Sequence, residues 1–353
     1  MTHPRIRFAS VAAAGAVLAL LLAGCSSAAT GTDGTDASAA AFPVTIESAL
    51  GTAVIPSEPK RVITIGWGSA DTVVALGTTP VGMEAASWGG DEDGYFPWVR
   101  DAIEARGDEL PGVFNVYPEI DVEAILALSP DLILAPQSGL SAAEYATLSA
   151  FAPTVAFPEE AWRTGWADQI SIIGTALGKS TEAAGLIEGI NTELATTAAA
   201  HPEFEDLSFA YVYTAEPGQL SLYQAGDPRV DLIAGLGLTI DSTVADIPLT
   251  PGTFSSTVGL ERADLLNSVD VLFTWYNDTA NQSAIEAQPL FAQIPAVTRG
   301  SYVPNADNQL AMASSMVTPL SVPWALKAYV PMISAAATAA AAATAATAAM
   351  TAR

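Results

Sequence analysis

The feature that most constrains the fold is a strand–helix pattern that occurs twice, on either side of a segment without strand signals. In the first half, a β-branched run at residues 61–66 precedes a helical pattern at 70–76 and a short strand at 80–83. A strand, a helix and a strand in succession indicate a βαβ unit with parallel strands. The second half restarts with a strand pattern at 207–213. We therefore expect two α/β lobes.

Two short motifs repeat in the same order in both halves. The first motif starts at Asp71 and again at Asp231, and both copies have Leu-Gly at their sixth and seventh positions. In the second motif, the helical pattern at 122–128 resembles that at 260–266, and each is followed by an apolar strand that begins with aspartate. Repeats in the same order indicate two similar lobes. In such arrangements the ligand binds in the cleft between the lobes.

Between the two halves, residues 160–200 have helical periodicity that is interrupted at Gly178-Lys179-Ser180. This segment is long enough to bridge two lobes. The sequence therefore predicts a first lobe at 42–158, a helical linker at 159–200, a second lobe at 201–335 and an Ala/Thr-rich tail at 336–353. The tail either continues the final helix or frays.

The N-terminus has the layout of an export signal. Two arginines precede an apolar run at Phe8–Ala23, which is too short and wrongly flanked for a membrane span. The four residues Leu22-Ala23-Gly24-Cys25 at the end of this run resemble the lipobox of bacterial lipoproteins. We expect residues 1–24 to be removed, Cys25 to be lipidated, for example with palmitate, and residues 25–41 to be a flexible tether. The alternative is an ordinary secretory signal with an incidental cysteine.

The composition excludes several classes of function. Loss of residues 1–24 removes two arginines and no acid from a net charge of −25, which leaves −27. Such a chain repels phosphate backbones, so nucleic acid is not expected as a partner. Cys25 is the only cysteine and His201 is the only histidine after residue 24. No internal disulfide is therefore possible, and neither a metal site nor a cofactor is expected.

Seven segments between residues 55 and 330 carry a family resemblance: Pro59–Ile63, Ala75–Gly77, Glu123–Leu134, Gly226–Arg229, Leu236–Gly237, Leu260–Glu261 and Pro319–Leu326. On these segments the chain resembles the substrate-binding lipoproteins of ABC importers for iron–siderophore, haem and cobalamin. The resemblance implies an α/β fold with two Rossmann-like lobes, each with a central sheet, joined by one long α-helix and separated by the ligand cleft. It also implies a monomer on the outer face of the cytoplasmic membrane.

In this family, one glutamate on each lobe binds arginines of the permease, and Glu123 and Glu261 occupy the matching positions. Two exposed carboxylates, one on each lobe, would report the spacing of the lobes to the transporter, and complementary charge would guide the encounter. Both residues are also predicted in the first turn of a helix, where the helix dipole favours an acidic side chain. The two interpretations are compatible.

A receptor for a bulky ferric siderophore needs aromatic walls, hydrogen-bond donors and an arginine. The sequence offers candidates near loops and strand ends: Trp67, Trp88, Tyr95, Phe96, Trp98, Trp162, Arg163, Tyr213, Tyr223, Arg229, Trp275, Tyr276 and Met312. The alternative for any one aromatic residue is core packing, which we favour for Trp166 and Trp324. The alternative for Arg229 is an ion pair with Asp227 or Asp231.

The acidic balance favours a neutral or cationic hydroxamate chelate over a highly anionic catecholate. A haem or cobalamin receptor would have the same fold and the same docking residues, and remains an alternative. A Ser-His-Asp enzyme is not expected, because no GxSxG motif occurs and His201 is the sole candidate base. An adhesive surface lipoprotein would need neither a cleft nor paired glutamates.

Overall fold

The computed structural model describes residues 42–214, 217–250 and 253–351. The predicted signal segment, the lipidation site Cys25 and the tether lie outside the described residues.

The first lobe is built on a parallel sheet, as the sequence predicts. It opens with an antiparallel hairpin of β1 (Val44–Ser48) and β2 (Gly51–Ile55), which the sequence did not predict. Five short strands follow in the parallel order β5-β4-β3-β6-β7. These strands are β3 (Val62–Thr64), β4 (Gly82–Glu84), β5 (Gly112–Phe114), β6 (Leu132–Leu134) and β7 (Thr154–Val155). The helices are α1 (Ser69–Ala75), α2 (Pro97–Ala105), α3 (Val122–Ala127) and α4 (Ala142–Ser149).

Two helices connect the lobes, α5 (Trp166–Ala176) and α6 (Ser180–Ala200). The chain turns between them at Gly178, whose φ of 71° lies in the left-handed region that favours glycine. The ammonium of Lys179 fixes this turn to the first lobe, because it donates to the carbonyl of Leu76 at 2.6 Å. Helix α5 packs on α1, and the 21-residue α6 runs towards the second lobe. The interruption predicted at Gly178-Lys179-Ser180 is confirmed.

The second lobe has a mixed sheet in the order β11-β9-β8-β12-β13, with β10 pairing beside β8. Its strands are β8 (Ser208–Tyr213), β9 (Gln219–Tyr223), β10 (Thr239–Ile240), β11 (Ser255–Gly259), β12 (Val271–Trp275) and β13 (Tyr302–Asn305). Strands β9 and β11 run antiparallel to their neighbours, and the other pairs are parallel. This antiparallel edge was not predicted from the sequence.

The helices of the second lobe follow the strands in the usual α/β alternation. They are α7 (Pro228–Gly235), α8 (Ser242–Ala245), α9 (Thr279–Glu286), α10 (Pro289–Ala292), α11 (Pro295–Arg299), α12 (Asn308–Met316) and α13 (Ser321–Thr351), with 3-10 helices at Pro202–Phe204 and Leu260–Leu266. The segment Leu260–Leu266 was predicted to be α-helical. It is instead 3-10 helical, with a kink at Arg262, whose dihedral angles of −94° and 21° are not helical.

The internal duplication is visible in hydrogen bonds that recur in both lobes. In each lobe, the aspartate that follows the second repeated motif binds the start of the lobe's central strand. In the first lobe, both carboxylate oxygens of Asp131 accept from the backbone amides of Lys60 and Arg61, each at 2.8 Å. In the second lobe, the carboxylate of Asp270 accepts from the amide and hydroxyl of Ser208 at 2.9 and 2.7 Å. The aspartate that precedes β6 therefore fixes the start of β3, and the aspartate that precedes β12 fixes the start of β8.

Helix α13 runs through the predicted tail, so the final helix continues through Thr351. Its length and composition would suffice for a membrane span. However, Tyr329 and Ile333 are fully buried, and burial on this helix extends as far as Ala340. The first half of α13 is therefore a core helix of the folded protein.

Both lobes contribute to one continuous hydrophobic cluster. Leu134 of the first sheet and Phe273 of the second sheet belong to it, together with Ile173 of α5 and Tyr329 of α13. Because apolar packing runs from lobe to lobe, separating the lobes would expose core surface to water. The fold class expected from the sequence, two α/β lobes joined by a helical linker, is confirmed.

Candidate ligand-binding cleft

A cavity with a volume of about 340 Å³ lies between the lobes. Its walls are the turns that follow β3, β4 and β12, together with one face of α12. In α/β sheets, the carboxyl ends of the strands are where ligands bind, because the loops that leave them form a crevice. The sequence analysis expected ligand residues near loops and strand ends, and these three turns line the cavity.

The turn after β3 presents Trp67 to the cavity. Gly66 precedes it with a φ of 83°, and a Cβ atom at this position would lie 2.2 Å from the carbonyl oxygen of Gln137. Only glycine fits, so this close approach fixes the start of the turn. The indole of Trp67 packs against that of Trp162, with ring centroids 5.7 Å apart. These two side chains are 36% and 42% exposed, so they form a solvent-facing edge of the cleft.

An aromatic wall crosses the cleft from one lobe to the other. Trp88 of the first lobe meets Trp275 of the second edge-on, with ring centroids 5.3 Å apart. On the other side, Tyr213 stacks in parallel on Trp275 at 4.1 Å. Met312 of α12 lies beside this wall as a flexible thioether contact. The structure thus brings these four predicted ligand residues together.

A buried ion pair supports the aromatic wall from behind. The guanidinium of Arg229 donates to both carboxylate oxygens of Asp227, at 2.8 and 2.6 Å. Its carbon atom lies 3.9 Å from the ring centroid of Tyr223, whose hydroxyl accepts from the indole nitrogen of Trp275 at 3.3 Å. Burial opposes the charge of Arg229, but Asp227 and Tyr223 outweigh it and raise the pKa of the guanidinium. The ion pair considered from the sequence is present, and Arg229 also lines the cavity.

Two carboxylates that the sequence analysis did not select also line the cavity. Glu84 is the last residue of β4 and accepts from the amide of Gly66 at 2.6 Å, and burial raises its pKa. Asp71 in α1 accepts from the indole nitrogen of Trp98 at 2.6 Å and from the amide of Leu320 at 3.2 Å. Burial raises the pKa of Asp71 to about 6. Asp71 was noticed only as part of a repeat, although an acid in an apolar helical stretch is itself a signal.

Two predicted ligand residues lie in the core of the first lobe instead of the cavity. Tyr95 is buried, and its hydroxyl donates to the carbonyl of Pro111 at 2.6 Å. Trp98 is also buried, with its ring stacked on Phe96 at 4.9 Å and near Trp324 at 5.2 Å. Phe96 is the member of this group that reaches the cavity. The glycine- and aspartate-rich loop before them therefore leads directly into packed structure.

Two more predicted residues lie away from the cavity. Tyr276 is fully buried beside Trp275, and its hydroxyl bonds to that of Tyr302. Successive residues in extended chain point to opposite faces, so only one of this pair can face the cleft. Arg163 forms an ion pair with Glu160 at 2.9 Å and lies over the ring of Phe254 at 5.2 Å.

The two predicted docking glutamates occupy equivalent places in the two lobes. Glu123 is exposed in the first turn of α3, which is capped by the Asp121 carboxylate accepting from the amide of Ala124 at 2.9 Å. Glu261 is exposed in the first turn of the 3-10 helix Leu260–Leu266. Glu123 lies shortly before Asp131 and β6, and Glu261 lies shortly before Asp270 and β12. In the part of the chain that the structure describes, no group of three or more metal-ligating side chains occurs.

Comparison with known proteins agrees with this architecture. The family model described as "Periplasmic binding protein" matches residues 62–303. The chain belongs to this family. It is 24% identical over 262 residues to the Fe(3+) dicitrate-binding periplasmic protein FecB of Escherichia coli K12, which covers 73% of this chain and 81% of FecB. Its relatives are substrate-binding proteins, which supports the expectation that the chain is not an enzyme.

One solved structure and one further relative bear on the ligand. The crystal structure of PiaA of Streptococcus pneumoniae TIGR4 in complex with ferrichrome superposes with a TM-score of 0.76 at 29% identity, covering 84% of this chain and 99% of PiaA. A cobalamin-binding protein of Halobacterium salinarum R1 is 27% identical over 286 residues, covering 80% of this chain and 65% of that protein. The recognition of a binding protein of the siderophore-importer type from sequence motifs is confirmed.

Proposed function

We propose that this chain is an extracytoplasmic receptor that binds a ferric siderophore of the hydroxamate type and delivers it to an ABC importer. The observation that carries the proposal is the aromatic cavity between the lobes, whose arginine is already neutralised by a buried carboxylate. Its volume of about 340 Å³ lies within the range of small-molecule sites. The residues that would hold the ligand are Trp67, Trp88, Tyr213, Trp275, Met312 and Arg229.

The charges of the cavity favour a chelate without net negative charge. Arg229 is the only cationic side chain among the described residues that line the cavity, and both of its forked donors are engaged by Asp227. Asp71 and Glu84 add carboxylates to the same walls. A catecholate complex of iron carries several negative charges and would meet repulsion here, because attraction by Arg229 is largely cancelled. A hydroxamate complex such as ferrichrome is neutral, and the similarity to ferrichrome-bound PiaA supports this class.

The second candidate function is binding of cobalamin or haem. The similarity to a cobalamin-binding protein of Halobacterium salinarum favours it over other unrelated ligands. A flat tetrapyrrole also suits an aromatic wall such as Trp88–Trp275. The two candidates differ in the cleft only, so a direct binding measurement decides between them.

A fluorescence titration tests the ligand. Trp67, Trp88, Trp162 and Trp275 lie at or beside the cavity, so a bound iron chelate would quench their emission. We expect saturable quenching by ferrichrome and ferrioxamine B, and weaker or no quenching by ferric enterobactin. Quenching by haem or cyanocobalamin alone would contradict the siderophore assignment, and metal-free ferrichrome serves as the matched control.

Delivery to the permease is assigned to Glu123 and Glu261, and attachment to the membrane to a lipidated Cys25. Exposure of both glutamates in equivalent first turns supports the docking role. We expect Glu123→Arg with Glu261→Arg to abolish uptake of the ferric chelate and to leave its affinity intact, because neither residue lines the cavity. Replacing Glu47, an exposed acid on β1, with Arg is the control. Normal uptake by the double variant would remove the docking role.

A further inference from the structure

Glu84 is a carboxylate in the cavity wall without a cationic partner among the described residues. One oxygen accepts from the amide of Gly66 at 2.6 Å, and this is the hydrogen bond that holds the side chain at the end of β4. Burial and this amide account for its shifted pKa, and no basic side chain contributes. The other ion pairs of the described structure involve different carboxylates. Glu84 therefore adds a charge to the cavity that the protein itself does not neutralise.

The remaining charges of the cavity do not offset Glu84. Arg229 and Asp227 form an ion pair, with the carboxylate fully buried and the Nε and Nη2 groups of the guanidinium donating to it. Asp71 has its two oxygens occupied by neutral donors, the indole of Trp98 and the amide of Leu320. The sum over these groups is negative. A partly buried charge is screened less by solvent and salt than a surface charge, so its effect on a bound ligand is correspondingly larger.

The neighbouring residues leave the Glu84 side chain room to meet a ligand. Ala85, Ala86 and Ser87, which follow it along the cavity, are all small. Trp88, which forms the aromatic wall together with Trp275 of the second lobe, comes next along the same segment. A chelate whose apolar body rests on the indoles can thus extend a short polar arm to Glu84.

We propose that Glu84 makes the cavity selective for ferric hydroxamate chelates that carry an ammonium group over the same chelates without it. This rests on the proposed function and narrows its substrate class. The ammonium would donate to the free carboxylate oxygen and supply the charge that the cavity lacks. A charge-assisted hydrogen bond of this kind is roughly twice as strong as a neutral one.

The test compares two ligands that differ in one charge. Ferrioxamine B carries a protonated primary amine far from its iron, and N-acetylation removes this charge without altering the ferric centre. We expect the native protein to bind ferrioxamine B about tenfold more tightly than its N-acetyl derivative by calorimetry, which corresponds to about 1.4 kcal/mol. Equal affinities, within a factor of two, would overturn the proposal without any mutation.

Two isosteric variants separate the local charge from the total charge of the protein. Glu84→Gln keeps an acceptor for the amide of Gly66, and we expect the ratio of the two affinities to fall below about threefold. Glu47→Gln removes the same charge from an exposed position on β1, and its ratio should equal that of the native protein. If Glu84→Gln weakens both ligands equally and keeps the ratio, Glu84 has only a structural role.

The outcome also distinguishes this inference from the function on which it rests. If ferrichrome and both forms of ferrioxamine bind with equal affinity, the receptor function stands and the selectivity by Glu84 falls. If none of the three chelates binds, the proposed function falls and the selectivity falls with it. A tenfold ratio that disappears in Glu84→Gln and persists in Glu47→Gln supports both.

Discussion

The ion pair behind the aromatic wall gives the sharpest test of how this site is held together. Asp227 is fully buried, and Arg229 donates to it at 2.8 and 2.6 Å. Substitution of Asp227 by Asn keeps the shape and removes the charge, so that a buried guanidinium is left without a counterion. Breaking a buried pair from one side lowers the free energy of unfolding by about 3–5 kcal/mol. We expect a loss in this range for Asp227→Asn.

Other functions of Asp227 contribute little to this loss. Its carboxylate also caps α7 by accepting from the amide of Arg229 at 2.9 Å, but asparagine is about as good at a helix N-cap. Most of the effect therefore comes from the unpaired charge. Adding Arg229→Met removes that charge, and the double variant should be within about 2 kcal/mol of the native protein, the remaining loss including the contact with the Tyr223 ring.

Urea unfolding, followed by far-UV circular dichroism and by tryptophan fluorescence, measures these differences. The matched control is Asp264→Asn, which breaks the exposed pair of Asp264 with Arg262 at 3.3 Å and should change stability by less than about 0.5 kcal/mol. A loss below about 1 kcal/mol in Asp227→Asn would refute the reasoning. So would a double variant no more stable than the single one, because the guanidinium would then not be the source of the loss.

Two further predictions concern the cavity. Trp88→Ala removes the edge contact with Trp275 and should weaken binding of a ferric hydroxamate at least tenfold by calorimetry, whereas Tyr117→Ala, at a residue 86% exposed, should leave it unchanged. The second prediction follows from the pKa of Asp71, which burial raises from 3.8 to about 6. The unfolded chain loses this proton at lower pH than the folded chain, so this carboxylate lowers stability as the pH rises from about 4 to about 6. Relative to the native protein, the non-titrating Asp71→Asn should gain about 2.4 kcal/mol in urea unfolding between pH 4 and pH 7, and a constant difference would contradict the shift.

Local signals made much of the fold predictable. The pattern Ser141-x-x-Glu144 is typical of a capping box, and both of its reciprocal hydrogen bonds are present at the start of α4. The β-branched run at residues 61–66 and the apolar run at 131–135 became β3 and β6, which pair in parallel. In each case the residues that carry the signal lie within one element. Neighbouring residues then suffice to specify the local conformation.

The parts that were missed depend on distant residues. Strand β9 is stabilised by pairing with β11, more than 30 residues later, and neither segment has a strong strand pattern of its own. The direction of aromatic side chains at strand ends is equally non-local: Trp275, the last residue of β12, faces the cleft, and Tyr276, the next residue, faces the core. Glu84 was not selected because one carboxylate among 38 acids carries no signal until the cavity is formed around it.

The contacts between the lobes predict how the proposed chelate would reach the cavity. Rotation of one lobe away from the other would break the hydrogen bond between Asp71 and Leu320 and separate the buried ring of Trp98 from the partly buried ring of Trp324. Exposing this apolar surface would cost several kcal/mol, because a fully buried large side chain alone contributes about 1.5–3 kcal/mol. Movement of the Trp88 segment would break the edge contact between the indoles, worth about 0.5–1.5 kcal/mol, and the hydrogen bond from the amide of Ala86 to the carbonyl of Gly94 at 2.8 Å. We therefore expect the proposed ligand to enter past Trp88, with the connection between the lobes retained.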